Sequence, residues 1–322
     1  MKKKIDKLAA ARGTRWGMAA GSFAMALVGG SVGVSRTLTD APLFTTQAIR
    51  YAVASVILCC AAVVSGVRVL RPRCREWFWL AGVAALGLVL FNVAVVRGVA
   101  HAEPAVIAVA VACVPVVLSL IGPLLEQRKL RPAVLRAAIV VTIGAAVIEG
   151  TGRTDAVGLS CALITLICEC CFTLLAVPVL TRHGPWGVSV HSVWIGAVMF
   201  GVLGSIWEGP QAAGRLSVAQ WAAIGYLAVG LTAIAFICWY SAVRTLGSGA
   251  AGLLTGIAPI AAAVAGMLTG SVAPSWTVWG GMAVVVVGLW TGLTWRHEQP
   301  PKIDDDDSRM AQQPIRPRQP AA

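Results

Sequence analysis

Charge is scarce in this chain. Asp, Glu, Lys and Arg make up 12% of its 322 residues, where a soluble domain carries roughly a quarter, so it cannot cover itself with a polar surface. The motifs GxxxxGK[ST], GxGxxG and HExxH are missing, which removes motif support for ATP-driven transport, dinucleotide chemistry and zinc-protease chemistry. There are four histidines. His101 and His183 fall near opposite ends of apolar runs, and His191 and Glu149 lie near helix ends. A membrane-embedded enzyme would need a second catalytic group facing a buried acid, and none is in view.

What remains is mostly apolar: hydrophobic residues reach 57% and mean hydropathy is +0.78. This is the composition of an all-α integral membrane protein. At least seven of the nine cysteines (Cys59, Cys60, Cys113, Cys161, Cys168, Cys170 and Cys171) sit inside apolar runs, where free cysteine behaves as a small hydrophobe. Cys168 and Cys171 share a helical face beside Glu169, but no histidine is close in sequence, so neither a metal site nor a cofactor is expected. The N-terminus starts on lysines, as a signal peptide does. Its apolar stretch, about twenty residues long, exceeds a signal-peptide core and reads as a retained first helix.

Apolar windows fall near 16–36, 45–66, 77–97, 103–125, 133–149, 156–180, 188–207, 217–241, 247–270 and 275–295. Each is long enough to cross ~30 Å of hydrocarbon as a helix. The runs are continuous rather than alternating, which excludes barrel strands. Of the 26 Lys and Arg, 21 fall in the N-terminus, the even-numbered loops and the tail; Arg36, Arg50, Arg97, Arg153 and Arg215 fall on the other side. The positive-inside rule therefore predicts that both termini are cytoplasmic in an inner (plasma) membrane. The basic charge follows topology, so lipid rather than nucleic acid is the expected surroundings. The organisation reads as a basic N-terminus (1–15), two five-helix units (16–150 and 156–295) and a polar tail (298–322). The tail, with its run Asp304 to Asp307, is expected to be disordered and solvated.

The two units repeat. An offset of 144 residues aligns Trp77 with Trp221, Pro115 with Pro259 and Gly144 with Gly288; offsets of 141 and 143 align Gly17 with Gly158 and Pro42 with Pro185. Five spans is an odd number, so the second unit is inverted relative to the first, the architecture of many secondary transporters.

Three stretches carry a family resemblance: APLFTTQAIRYAVASVIL with Pro42 and Arg50, AVIAVAVACVPVVLSLIGPLLE with Pro115 and Glu126, and AAGLLTGIAPIAAAVAGMLTG with Pro259. In order, and twice over, they resemble the EamA-type domains of the drug/metabolite transporter superfamily across about residues 14 to 295. The resemblance implies two inverted five-helix repeats that move a small metabolite. One departure is that Gly270-Ser271-Val272 lacks the acid that Glu126 supplies in the first repeat.

Polar residues inside spans mark the candidate pathway. Pro115 and Pro259 lie near the middle of spans four and nine and should free the carbonyls of Val111 and Thr255, which then face protein or a water-filled cavity. Arg50, about 8 Å below the outer boundary, either snorkels to headgroups or joins Asn92 in receiving a carboxylate, since guanidinium binds carboxylates bidentately. Glu169 is about 18 Å deep, beyond snorkelling. A central acid costs ~2.5–3.5 kcal/mol on insertion scales, and a group that can take up or release a proton at the midplane is what proton coupling requires. The stretch around it resembles small multidrug transporters, which hold a glutamate centrally in their first helix. Its repeat counterpart is Val28. Trp239 and Tyr240 belong either to an aromatic belt or to an inner gate. Trp16, Trp77, Trp79, Trp207, Trp221, Trp276, Trp279 and Trp295 are expected in the belt, and the pairs Gly29/Gly33, Gly252/Gly256, Gly266/Gly270 and Gly288/Gly292 at close helix contacts. The whole is expected to be a secondary transporter, an exporter of an amino acid or similar carboxylate against protons, with efflux of organic cations as the alternative.

Overall fold

A computed structural model describes residues 2–269 and 274–294. The expectations for the tail, for Trp295 and for Gly270 to Val272 fall outside those residues. Among the described residues, ten helices are long and apolar enough to cross a membrane. The first repeat comprises α1 (Arg12–Arg36), α2 (Leu43–Val64), α3 (Cys74–Val99), α4 (Pro104–Leu125) and α5 (Pro132–Glu149). The second comprises α6 (Ala156–Leu174), α7 (Val177–Trp207), α8 (Val218–Leu246), α9 (Ser248–Leu268) and α10 (Trp276–Leu293).

Local chemistry sets where these helices begin. Pro104 and Pro132 open α4 and α5, where proline's missing N–H costs nothing. Asp155 accepts from the Gly158 N–H at 2.8 Å to cap α6, and Ser217 and Gln220 cap α8 reciprocally. Glu208 caps α2 from across the fold, its two carboxylate oxygens accepting from the N–H groups of Phe44 and Thr45 at 2.8 and 2.7 Å. Glu126 does the same for α9, accepting from both the N–H and the hydroxyl of Ser248 at 2.6 Å. Its acid is thus accounted for by a helix start in the opposite repeat.

The repeat is visible in the backbone. Adding 144 to the bounds of α5 gives 276–293, the bounds of α10. The same shift carries a π-helical segment of α3, Val83–Leu90, onto one of α8, Leu227–Ile234. It also carries the break of α4 at Cys113 onto the end of the tight 3₁₀ turn Leu254–Gly256 in α9. Gly144 and Gly288 each seat against the other's helix where α5 packs on α10. A Cβ on Gly144 would lie 2.7 Å from the Val285 nitrogen, and one on Gly288 3.0 Å from the Val141 nitrogen. Gly33 of the expected Gly29/Gly33 pair meets nothing within 4 Å, so only Gly29, seated against α9, is a packing glycine there.

The seventh span begins earlier than hydropathy suggests. Val177–His183 forms a short helix, then Gly184 (φ +64°) turns the chain, and Pro185 restarts it. Glycine reaches this left-handed region without the clash a side chain would bring.

Alternating spans put two sets of loops on opposite faces, and contacts within each set agree. On one face, Arg153 and Glu103 pair at 2.9 Å and His101 and Asp155 at 3.0 Å. The Gly158 N–H and then His101 hold the exposed Asp155 carboxyl below the usual carboxylate range. On the other face, which carries the loops rich in arginine, Glu76 accepts from Arg182, from His183 Nε2 at 3.0 Å and from the Arg73 N–H at 2.6 Å. That cluster joins α3 of the first repeat to α7 of the second.

Candidate functional site

A cavity of about 420 Å³ lies between the repeats. Its walls come from α1, α2 and α3 of the first repeat and from α6 and α8 of the second. Ser35, Leu38, Thr39 and Val99 border it at the face opposite the arginine-rich loops, and no residue of those loops lines it. Gly87 allows the wall to close at its narrow part, because a Cβ there would come 2.8 Å from that of Phe172.

The structure brings Arg50, Asn92 and Glu169 to this one cavity. Arg50 is 7% exposed, so its guanidinium does not reach for headgroups. Its Nε donates to Thr232 Oγ1 at 2.9 Å, its Nη1 donates to Gln47 Oε1 at 3.2 Å, and its guanidinium carbon lies 5.1 Å from the Tyr51 ring centre. Tyr51 also links it to Asn92, whose Nδ2 donates to the Leu88 carbonyl at 2.7 Å and lies 3.4 Å from the Tyr51 hydroxyl. Leu88 belongs to the π-helical segment of α3. A π turn spoils the regular backbone pairing and recurs at functional sites; here an amide side chain takes up one of its carbonyls.

Glu169 is half-buried on the opposite wall. Its carboxyl group makes no hydrogen bond or ion pair among the described residues. Phe172, Phe236 and Trp239 surround the inner end of the cavity, with Phe172 and Phe236 ring centres 4.8 Å apart. Trp239 Nε1 donates to Thr173 Oγ1 at 3.0 Å, which fixes the indole in that wall. Val28, the repeat counterpart of Glu169, also lines the cavity. The pseudo-symmetric halves therefore offer one acid and one valine to the same space.

Four expected pathway residues lie elsewhere. Pro115, Thr255 and Pro259 belong to α4 and α9, which contribute nothing to the cavity wall. The carbonyl released near Pro115 is that of Ala112, because the Val116 N–H bonds to Cys113 instead. A helix hydroxyl takes it up, Thr142 Oγ1 donating at 2.9 Å from α5. Thr255 donates its hydroxyl to the Gly252 carbonyl at 2.8 Å within the tight turn before Pro259. Pro115 thus marks a helix break that a protein group satisfies, and Pro259 follows a tight turn of α9. Tyr240 is fully buried, donating to the Phe172 carbonyl at 3.1 Å; its neighbour Trp239 occupies the wall. Thr46, Gln47 and Thr232, not singled out in the sequence, belong to the site. Two of them sit one helical turn before Arg50, a spacing that could have found them; Thr232 is 182 residues from Arg50 and could not have been found that way.

A fold of ten helices in two inverted units, with a cavity between them, defines a membrane transporter. The chain matches the EamA-like transporter family over residues 15–150 and 156–293, and belongs to it. It is 24% identical over 284 residues to the "uncharacterized transporter YetK" of Bacillus subtilis (strain 168), covering 83% of each chain. It is 28% identical over 244 residues to a "probable terminal-alkyne amino-acid exporter" of Streptantibioticus cattleyicolor, covering 74% of this chain and 80% of the relative. A crystal structure of a protein 20% identical superposes with a TM-score of 0.75, covering 88% of this chain and 99% of the other. That likeness carries the fold.

Proposed function

We propose that the chain is a secondary active exporter of a small carboxylate-bearing metabolite, an amino acid or a close relative, working by proton antiport. It would sit in the inner membrane with both termini cytoplasmic, as the distribution of lysine and arginine suggests. The observation that carries this reading is one cavity, walled by both repeats, that holds a buried guanidinium and a carboxyl group with no hydrogen bond or ion pair among the described residues. Arg50 and Asn92 would receive the carboxylate. Glu169 would carry the proton inward when substrate leaves. The Streptantibioticus relative, named as a probable amino-acid exporter, supports amino acids as the substrate class.

In this orientation the cavity opens to the outside, and the Glu76–Arg182–His183 cluster belongs to a closed inner face. Export would require that cluster to part while the outer mouth closes, the repeats rocking about the shared cavity. A second reading, efflux of organic cations, is favoured by the Glu169 carboxyl group on the same cavity wall as Phe172, Phe236 and Trp239, since aromatic faces attract cations.

Purified protein in liposomes with an imposed pH gradient separates the two. Labelled amino acids should accumulate on the acidic side, while quaternary ammonium dyes should not compete. Competition by the dyes and indifference to amino acids would reverse the assignment.

A further inference from the structure

Thr46, Gln47 and Arg50 occupy one turn of α2 on the cavity wall. Thr46 is 2% exposed, yet its Oγ1 makes no hydrogen bond among the described residues. A helical threonine commonly returns its hydroxyl to a carbonyl three or four residues back, and Thr165, Thr245 and Thr255 all do so here. Thr46 does not. A buried hydroxyl without a partner is unfavourable, and this one is on the wall of a cavity large enough for a ligand.

Its two neighbours are arranged to donate. Arginine has no acceptor, so the Gln47 atom facing Arg50 Nη1 at 3.2 Å must be the amide oxygen. The Gln47 amide nitrogen is then left with no partner among the described residues. Arg50 spends Nε on Thr232 and Nη1 on Gln47, and its Nη2 makes no hydrogen bond among the described residues. The turn therefore presents three donors, Thr46 Oγ1–H, Gln47 Nε2–H and Arg50 Nη2–H, with one net positive charge. Such a set fits a monoanionic group with two oxygens. Its net positive charge, carried by Arg50, disfavours an ammonium group, although the Thr46 hydroxyl can also accept.

We propose that Thr46 and Gln47 complete, with Arg50, a carboxylate-recognition subsite that takes a carboxylate in preference to an amine. This deepens the exporter reading and rests on it. Arg50 supplies the charge, while Thr46 and Gln47 fix the plane of the carboxylate, as two donors beside a guanidinium must.

Ligand-induced thermal stabilisation of the full-length protein in detergent tests the subsite. The probes are the proteinogenic L-amino acids and the amines that each gives on decarboxylation. The wild type should be stabilised by at least one amino acid and far less by its amine. Thr46→Val, nearly isosteric and without the hydroxyl, should weaken that amino acid tenfold or more, and Thr46→Ser should restore it. Gln47→Leu asks the same question should the valine variant not fold. Normal affinity in Thr46→Val and Gln47→Leu, with binding lost in Arg50→Lys, would overturn the subsite and leave the exporter reading standing. A wild type that prefers no amino acid over its amine would overturn both.

Discussion

Arg50 and Thr232 lie in opposite repeats, and a 2.9 Å hydrogen bond from Nε to Oγ1 joins them behind the cavity wall. Thr232 belongs to the π-helical segment of α8, so whatever engages the guanidinium also acts on the least regular part of that helix. Thr232→Val removes the acceptor and keeps the shape. The expected result is a severalfold rise in the substrate concentration for half-maximal transport, with a smaller change in maximal rate, measured in liposomes. Arg50→Lys keeps the charge but loses the fork and should be worse than tenfold; equal activity of both variants with the wild type would detach this pair from transport.

Glu169→Gln keeps size and hydrogen bonding while removing ionisation. Uphill movement driven by a pH gradient should disappear, and exchange of substrate down its own gradient should survive. Glu169→Asp should retain part of the activity with a displaced pH optimum. A Gln variant that still concentrates substrate with a normal pH profile would remove Glu169 from coupling.

Access to the cavity can be read residue by residue. In a background without the native cysteines, single cysteines at Val95 and Leu231, both on the wall, should react with a small membrane-impermeant thiol reagent added outside. Cysteines at Val111 and Thr255, away from the wall, should react at least tenfold more slowly. Equal rates at all four positions would place the opening somewhere other than the α1–α2 mouth.

Glu76 holds α3 to α7 through Arg182 and His183. Glu76→Gln leaves Arg182 without its counter-charge and should shift the population toward a form open at the arginine-rich face. A cysteine at Leu80, fully buried one turn further along α3, should then label faster from that side. Unchanged labelling with intact folding would make the cluster a static tie.

Asp155 gives a pH-dependent stability test. Its carboxyl group is held below its usual range by the Gly158 N–H and His101, so its contribution is present above the unfolded pKa of ~3.9 and fades as pH falls through the lower folded value. Asp155→Ala should lower Tm at pH 7, and the difference from wild type should shrink in acid. A difference that stays constant down to the lowest pH tolerated would assign the loss to something other than the carboxylate.

The spans were legible because hydrocarbon admits little besides unbroken apolar helices, and the offset of 144 residues already relates the repeats in sequence. That Glu169 and Arg50, which both line the cavity, sit inside spans was likewise readable. Which helices wall the cavity was not. Pro115 and Pro259 announce breaks in α4 and α9, but a break says nothing about what packs against it, and Thr142 fills that role at Ala112. Tyr240 and Trp239 differ by one position, which turns a side chain about 100° around a helix of 3.6 residues per turn, and hydropathy cannot choose between them. The tie from Glu76 to Arg182 spans 106 residues and leaves no local pattern at either end.

The paired π segments also speak to how this chain arose. A helix that makes room for a π turn holds a residue more than its α-helical length requires, and Val83–Leu90 and Leu227–Ile234 hold it at the same place in both halves. One insertion in a single five-helix ancestor, copied when that ancestor was doubled, accounts for both; two separate insertions at one site do not do so as simply. The halves have since diverged until one faces the cavity with Glu169 and the other with Val28. The irregular turn is common to both halves where the side chains facing the cavity are not.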